Sequence, residues 1–156
     1  MRRISPAGYL LAILFAAFIF PVSSFACTLS GKVVRVADGD TLTVLTTDQR
    51  QVTIRLAQID APEKAQPFGQ RSKQSLPELV FGGDVEIRTE ATDRSGRTVG
   101  RVSLNGTDIN LEQVTRGMAW AYRQYLTDGS FLDAEQVARS ATWPMERAES
   151  DPALGV

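Results

Sequence analysis

Three acidic residues lie beside turn sequences in a chain whose composition excludes most other catalytic chemistry. Asp40 ends an Asp-Gly-Asp triplet, and Asp60 and Glu63 are the acidic residues of an Asp-Ala-Pro-Glu segment. The sequence has no His and one Cys, which excludes Ser-His-Asp triads, imidazole bases and Cys-rich zinc sites. Clustered carboxylates repel one another unless a cation or proton intervenes, and their oxygens suit Ca²⁺ or Mg²⁺ rather than zinc. The pattern therefore indicates carboxylate chemistry at a divalent cation.

Two arginines add groups that suit phosphate. Arg55 lies in an alternating, strand-like segment, and Arg97 ends an Asp-Arg-Ser-Gly-Arg turn. A planar guanidinium donates paired hydrogen bonds to phosphate oxygens. Taken singly, each segment also fits an ordinary surface turn or a solvated strand face. On a straight strand Arg55 and Asp60 would lie about 16 Å apart, so a shared cleft requires barrel curvature and a turn after Ile59.

The hydrophobic pattern predicts five short strands that would position these residues. Residues 51–58 alternate strictly, with Val52, Ile54 and Leu56 on one face, as in a half-buried strand. The other strands are predicted at 32–37, 41–45, 85–89 and 98–104. With a helix between the third and fourth strands, this order predicts an α+β, mainly β fold, a five-stranded OB-fold Greek-key barrel with about three helices.

Three helices are predicted around the barrel. The first spans residues 70–81 and contains Pro77, so either the helix kinks there or Ser75 caps a short second segment. Asn110 is predicted to cap the second helix. Ser130 is predicted to open the third, whose apolar residues lie along one side.

The N-terminal segment has the pattern of a secretory signal peptide. Arg2 and Arg3 precede an apolar run from Tyr9 to Phe20, and Ser24-Phe25-Ala26 fits a cleavage site. The run is shorter than the ~20 residues of a transmembrane helix. The sequence therefore predicts a secreted or periplasmic protein without stable membrane insertion, with a signal peptide at 1–26, a single domain at 27–143 and a flexible tail at 144–156.

Cleavage after Ala26 would alter both the N-terminus and the charge. Cys27 would become the first residue, which raises lipidation as an alternative, although Phe25 disfavours it. Residues 1–26 contain two Arg and no acidic residue, so the remainder has 15 basic and 18 acidic residues and a formal charge of −3. Attraction to a polyanion must then be local. Candidates for a local binding surface are Arg71, Lys73, Arg101, Arg116, Tyr122 and Arg123.

The acidic and basic motifs, taken together, resemble the staphylococcal nuclease family. The matching segments are Val36-Ala37-Asp38-Gly39-Asp40-Thr41-Leu42, Arg55-Leu56 leading to Ile59-Asp60-Ala61-Pro62-Glu63, and Asp93-Arg94-Ser95-Gly96-Arg97. Their order and spacing are those of the family signature. The similarity continues through Asn110-Leu111-Glu112, Gly117-Met118-Ala119 and Tyr122, and it covers about residues 30–143.

The resemblance implies a role for each site residue. The Ca²⁺ ligands would be Asp40, Asp60 and the backbone carbonyl of Ala61. Glu63 would act as the general base or orient the attacking water, a role that a carboxylate ionised at neutral pH can fill. Arg55 and Arg97 would hold the phosphate. Ser95 departs from the family archetype, which carries at that position a Tyr that packs against the nucleotide.

The resemblance further implies a Ca²⁺-dependent phosphodiesterase that hydrolyses DNA and RNA with little sequence specificity. Water would attack phosphorus and expel the 5′ oxygen, which leaves 3′-phosphate ends. The protein is expected to be a monomer. The alternative is a non-catalytic OB-fold module that binds nucleic acid. In a third interpretation the chain is an exported interaction domain, in which the acidic motifs only form turns.

Overall fold

The computed structural model describes residues 28–141. The predicted signal peptide, Cys27 and the predicted tail at 144–156 lie outside these residues. None of the helices within residues 28–141 combines the length and the apolar character that crossing a bilayer requires.

The strands of this part of the chain form a barrel and a separate two-stranded sheet. They are β1 (Thr28–Asp38), β2 (Thr41–Thr46), β3 (Gln51–Leu56), β4 (Ile59–Asp60), β5 (Asp84–Thr92), β6 (Thr98–Leu104), β7 (Thr107–Asp108) and β8 (Trp120–Ala121). The large sheet has the order β3-β2-β1-β5-β6-β7, and β4 pairs with β8. A parallel pairing of β3 with β6 closes the five long strands into a barrel. The predicted mainly β, five-stranded OB-type fold is confirmed.

Three helices and a short 3-10 turn lie around the barrel. They are α1 (Gly69–Val80), α2 (Ile109–Thr115), the 3-10 turn (Arg123–Tyr125) and α3 (Ser130–Ser140). Helix α1 contacts β1 and α2, while α2 contacts α3 and β6. Because each helix has an apolar side, this arrangement extends the barrel core outward. The buried apolar residues that the helices contribute include Leu76, Val80, Ile109, Val114 and Phe131.

Strand alternation sets the barrel core. In β3, Ile54 and Leu56 are buried and Val52 is half-buried against the core, as the period-2 pattern predicts. Full burial of one such side chain stabilises the fold by about 1.5–3 kcal/mol. The core that supports the strands includes Val33, Leu42, Val44, Ile54, Leu56, Ile87 and Val102.

Helix α1 is continuous through Pro77. It spans Gly69–Val80, one residue earlier at each end than predicted, and Pro77 lies in its last turn. The alternative in which Ser75 caps a second segment is wrong, because the buried Ser75 hydroxyl donates to Gln113 Oε1 of α2 at 2.7 Å. The helix ends before Gly82, whose φ of 74° continues the chain in a left-handed turn.

The N-cap of helix α2 lies two residues before the predicted one. The cap is Asp108, whose carboxylate accepts a hydrogen bond from Leu111 N at 3.0 Å. Asn110 is instead fully buried inside the first turn of the helix. Its side-chain amide donates to Ala57 O at 2.9 Å, and its Oδ1 accepts from Val102 N at 3.0 Å. Asn110 thus joins the β3–β4 connection to β6.

Replacement of Asn110 should test this internal link. The Asn110→Ala variant leaves the buried amide of Val102 and the carbonyl of Ala57 without the partners that Asn110 supplies. We expect a loss of about 3 kcal/mol in the free energy of unfolding, since each buried group left unpaired costs about 1–3 kcal/mol. Urea unfolding followed by circular dichroism measures the loss. A change below about 1 kcal/mol would contradict the proposed link.

Candidate active site

One open cavity, with a volume of about 970 Å³, collects every residue that the sequence predicted for the site. It lies beside the parallel pairing of β3 with β6, and the 3-10 turn contributes to its rim. The predicted residues along its lining are Asp40, Arg55, Asp60, Ala61, Glu63 and Arg97. The fold therefore brings the candidates together, while their catalytic roles stay predictions.

Strand register explains how three of these residues meet. Arg55 lies opposite Thr41 in the antiparallel pairing of β2 with β3. Across the parallel pairing of β3 with β6, Arg55 lies opposite Val99. Asp40 directly precedes Thr41, and Arg97 lies two residues before Val99, so both reach the cavity that Arg55 lines. Barrel closure thus joins residues that are remote in sequence.

A tight turn brings Asp60 back toward Arg55. The predicted strand 51–58 is too long, since β3 ends at Leu56 and Gln58 has a left-handed backbone with φ of 64°. The turn therefore lies before Ile59, whereas the sequence predicts a turn after Ile59. As a result, Arg55 Nη2 lies 2.9 Å from Asp60 Oδ1.

Arg55 connects the two candidate metal ligands. Its Nη1 lies 3.0 Å from Asp40 Oδ2, and its Nη2 pairs with Asp60. Nη1 also donates to the carbonyl oxygens of Leu56 and Ile59 at 3.0 and 2.9 Å. A guanidinium has five N–H donors, so within the described residues Nε–H and one Nη2–H stay available to a phosphate. The side chain is therefore held in place and still able to bind.

Asp40 is a buried carboxylate in an acidic neighbourhood. Burial raises the pKa of Asp40 from 3.8 to about 7, opposed by the charge of Arg55 and reinforced by that of Asp38. Its oxygens accept hydrogen bonds from Thr41 Oγ1 at 2.9 Å and from the amide of Ala61 at 3.1 Å. The protein alone therefore compensates this charge incompletely, which favours an added cation.

The donor set fits a hard divalent cation. Asp40, Asp60 and Ala61 line the cavity from adjacent segments and offer two carboxylates and one backbone carbonyl. Within residues 28–141, no three acidic or Cys side chains form a metal-binding group. Ca²⁺ takes six to eight oxygen ligands and accepts water among them, so two carboxylates and one carbonyl leave several positions for water or phosphate. The residues present therefore fit such an ion.

Glu63 presents a free carboxylate at the cavity. It is exposed, and its side chain forms no hydrogen bond or ion pair with the residues described. Its backbone is fixed, because the amide donates to Gln66 Oε1 at 2.7 Å and the carbonyl accepts from Gln66 N at 2.8 Å. A side chain with free lone pairs on a fixed backbone suits proton abstraction.

Two glycines allow the close approaches on which the acidic loops depend. A Cβ at Gly39 would lie 1.8 Å from Ser72 Oγ of α1, so the Asp38–Asp40 turn packs directly on that helix. A Cβ at Gly69 would lie 2.0 Å from the carbonyl oxygen of Glu63. Any larger residue at either position would displace a site loop.

Arg97 completes the network on the β6 side. Its Nε donates to Asp93 Oδ2 at 2.7 Å, and this hydrogen bond lowers the pKa of Asp93. Its Nη1 lies 3.5 Å from Thr41 Oγ1, the hydroxyl that donates to Asp40. A continuous polar network therefore runs from Arg97 through Thr41 to Asp40 and Arg55.

Sequence reasoning missed part of the cavity wall. Residues that line the cavity without having been predicted for the site include Asp38, Gln58, Glu90, Gln124 and Tyr125. Tyr125 is 60% exposed and packs edge-on against Tyr122, a pair that two tyrosines three residues apart could have indicated. Gln58 and Glu90 gave no such indication, because Gln58 is the last residue of a predicted strand and Glu90 directly follows another.

The candidates for a local basic surface are largely occupied elsewhere. Arg101 pairs with Asp108 and Asp128, Arg116 pairs with Glu112, and Arg123 pairs with Glu135. Of the six residues proposed for that surface, Tyr122 is the one along the cavity lining. Positive charge at the cavity therefore comes from Arg55, Arg94 and Arg97.

Comparisons with known proteins indicate the family of this chain. A family profile described as "Staphylococcal nuclease homologue" matches residues 53–145, more than half of the chain. An "Uncharacterized endonuclease" of Haemophilus influenzae is 47% identical over 109 residues, which cover 70% of this chain and 61% of that protein. "Protein ParB" of Escherichia coli is 44% identical (71% and 68% covered), and a "Micrococcal nuclease" of Shigella flexneri is 43% identical (70% and 68% covered).

The match extends over most of the candidate site. The profile includes Arg55, Asp60, Glu63 and Arg97, whereas Asp40 precedes it and joins them through the register of β2 with β3. The chain spans 61–68% of the length of these relatives. Two of the relatives have nuclease names, in agreement with the enzyme class predicted from the motifs. By the profile, by these identities and by its barrel, the chain belongs to the staphylococcal nuclease family.

Proposed function

We propose that the protein is a Ca²⁺-dependent nuclease that hydrolyses phosphodiester bonds of DNA and RNA. The observation that carries this proposal is the convergence of two carboxylates, two guanidinium groups and one free carboxylate on one cavity. These groups match the needs of phosphate hydrolysis, which are charge neutralisation, phosphate orientation and a proton acceptor. The family assignment and the nuclease names of the relatives support the same conclusion.

Arg55 and Arg97 are assigned to the phosphate. Arg55 has N–H groups left over from its pairs with Asp40 and Asp60, and Arg97 is oriented by Asp93. Attack on phosphorus adds negative charge to the non-bridging oxygens. Donors that are already held in place stabilise this charge without reorganisation, an effect of about 2.7–4 kcal/mol for one donor in well-studied sites.

Glu63 is assigned to the attacking water. Its carboxylate is unpaired within the described residues and lines the same cavity as both arginines. It would accept a proton from water as the oxygen attacks phosphorus, while the bond from phosphorus to the 5′ oxygen breaks in line and that oxygen takes up a proton from solvent water. The product ends are then 3′-phosphates. Asp40, Asp60 and the Ala61 carbonyl would hold Ca²⁺, which when bound neutralises phosphate charge and helps to orient water.

Digestion with and without metal tests the proposal. Purified protein is expected to degrade linear DNA and single-stranded RNA in the presence of Ca²⁺ and to stop when EGTA removes the ion. Ca²⁺ at about 100 times its Kd should stabilise the fold by about 2.7 kcal/mol, which raises Tm by on the order of 10 °C. Cleavage that continues in EGTA would contradict the metal role. If Ca²⁺ produces no cleavage and no shift in Tm, the result would favour an interaction domain.

We also propose that the enzyme acts after export. This proposal rests on the basic, apolar and small-residue pattern of residues 1–26. Mass spectrometry of protein recovered outside the cytoplasm is expected to give an unmodified chain that begins at Cys27. A lipid-modified Cys27 would support the lipoprotein alternative. A chain that keeps residues 1–26 would contradict both.

A further inference from the structure

Gln58 is a buried polar residue in a disfavoured backbone conformation beside the site. It is 4% exposed and has φ of 64°, a left-handed conformation that residues other than Gly, Asn and Asp adopt rarely. Such conformations persist where surrounding contacts enforce them, and they cluster at binding and catalytic sites. The contacts of Gln58 therefore indicate what this conformation serves.

These contacts hold one wall of the cavity, the segment 122–128. The backbone carbonyl of Gln58 accepts from Tyr122 N at 2.8 Å. Its side-chain Oε1 accepts from Thr127 N at 2.9 Å and from Asp128 N at 3.0 Å. One residue thus receives hydrogen bonds from both ends of the segment, whose interior contributes Gln124 and Tyr125 to the cavity lining.

The same side chain reaches a second part of the cavity lining, Glu90. Its Nε2 lies 3.5 Å from Glu90 Oε1 near the end of β5. Because Oε1 already faces two backbone amides, the orientation of the Gln58 amide is fixed and Nε2 must face Glu90. Gln58 also directly precedes β4, which carries Asp60. It therefore contacts segment 122–128 and Glu90 and adjoins the strand that carries Asp60.

Segment 122–128 has limited secondary structure of its own. Its regular element is the 3-10 turn Arg123–Tyr125, too short to be stable without tertiary contacts. Arg123 pairs with Glu135, and Asp128 pairs with Arg101, so those ion pairs anchor the segment from outside. Gln58 is its hydrogen-bonded support from the cavity side.

We propose that Gln58 is a positioning residue that fixes the 122–128 wall for substrate binding, an inference that rests on the proposed nuclease function. The wall contains none of the residues assigned to the metal, the phosphate or the attacking water, so its position should govern how the nucleic acid is held and leave the chemical step unaffected. Loss of the Gln58 side chain should then raise KM and leave kcat nearly unchanged.

The Gln58→Gly variant separates this role from a purely structural one. Glycine accepts the left-handed backbone and keeps the carbonyl bond to Tyr122, while the bonds to Thr127 and Asp128 are lost. We expect KM for DNA to rise about 5- to 10-fold and kcat to stay within about twofold. Gln58→Asn, whose shorter amide also tolerates this backbone, should behave alike.

Gln49→Gly is the matched control. Gln49 is also a glutamine with positive φ, 62°, but it is exposed in the turn between β2 and β3. Both substitutions relieve the same backbone strain, so Gln49→Gly should keep or raise Tm, whereas Gln58→Gly also loses two hydrogen bonds and should melt below Gln49→Gly. The control should leave KM unchanged. Hydrogen exchange at the Thr127 and Asp128 amides should accelerate in Gln58→Gly and not in Gln49→Gly.

Two results would overturn the inference, and they differ from failure of the proposed function. With an active wild-type protein, an unchanged KM in Gln58→Gly would show that the wall does not depend on Gln58. Unchanged exchange at Thr127 and Asp128 would show that the side chain does not hold the segment. An inactive wild-type protein would instead overturn the nuclease proposal itself.

Discussion

Glu63→Gln is expected to reduce kcat by at least about 100-fold while affinity for DNA in the presence of Ca²⁺ changes less than about threefold. Glutamine keeps the size and the acceptor oxygen of the side chain but cannot take up a proton at neutral pH. The Glu63 carboxylate forms no hydrogen bond or ion pair within the described residues that its loss would disturb, and its loop is held through backbone atoms. The variant should therefore fold and bind as the wild type does.

Single-turnover cleavage and fluorescence anisotropy of a labelled oligonucleotide measure the two quantities separately. Glu86→Gln is the matched control, because Glu86 is exposed on β5 and does not line the cavity. It makes the same change of charge and should leave both quantities unaltered. Full cleavage by Glu63→Gln would remove Glu63 from the mechanism. If the wild type and Glu63→Gln both bind DNA and neither cleaves it, the result would instead support the non-catalytic OB-fold alternative.

Local patterns predicted the barrel because they report local physics. Alternation located β3, and the turn sequences Asp38-Gly39 and Asn105-Gly106 located the ends of β1 and β6 to within a residue. The errors have the same origin. Asn110 is of a residue type that often caps helices, but its buried side chain makes three hydrogen bonds inside the fold. Asp108 caps the helix instead.

The site was predictable in composition and not in geometry. Residue types indicated carboxylate, cation and phosphate chemistry, yet the presence of Arg55 and Arg97 at one cavity depends on the parallel closure of β3 against β6. The two strands of that pairing are far apart in sequence, and no hydrophobic periodicity reveals which strands pair. The turn at Gln58 was hidden for a related reason: the predicted strand runs on to residue 58, and the left-handed backbone there is enforced by tertiary hydrogen bonds.

Removal of the buried acidic charge should separate metal binding from folding. Asp40→Asn is expected to abolish the Ca²⁺-induced rise in Tm and to lower kcat/KM by more than about 100-fold, since even residues that only orient metal ligands are worth about 10- to 100-fold. In EGTA the variant should melt at or above the wild-type Tm. Burial opposes the charge of Asp40, and an amide of the same shape removes that charge.

The hydrogen bonds around position 40 allow this exchange. The amide oxygen of asparagine can still accept from the amide of Ala61, and its NH₂ group can donate to the Thr41 hydroxyl, which accepts as well as donates. Asp48→Asn provides the control, because Asp48 is exposed in the turn between β2 and β3. It should keep the full Ca²⁺ response. A Ca²⁺ response that survives in Asp40→Asn would place the cation elsewhere. A large fall in Tm in EGTA would show instead that the charge of Asp40 supports the fold through Arg55.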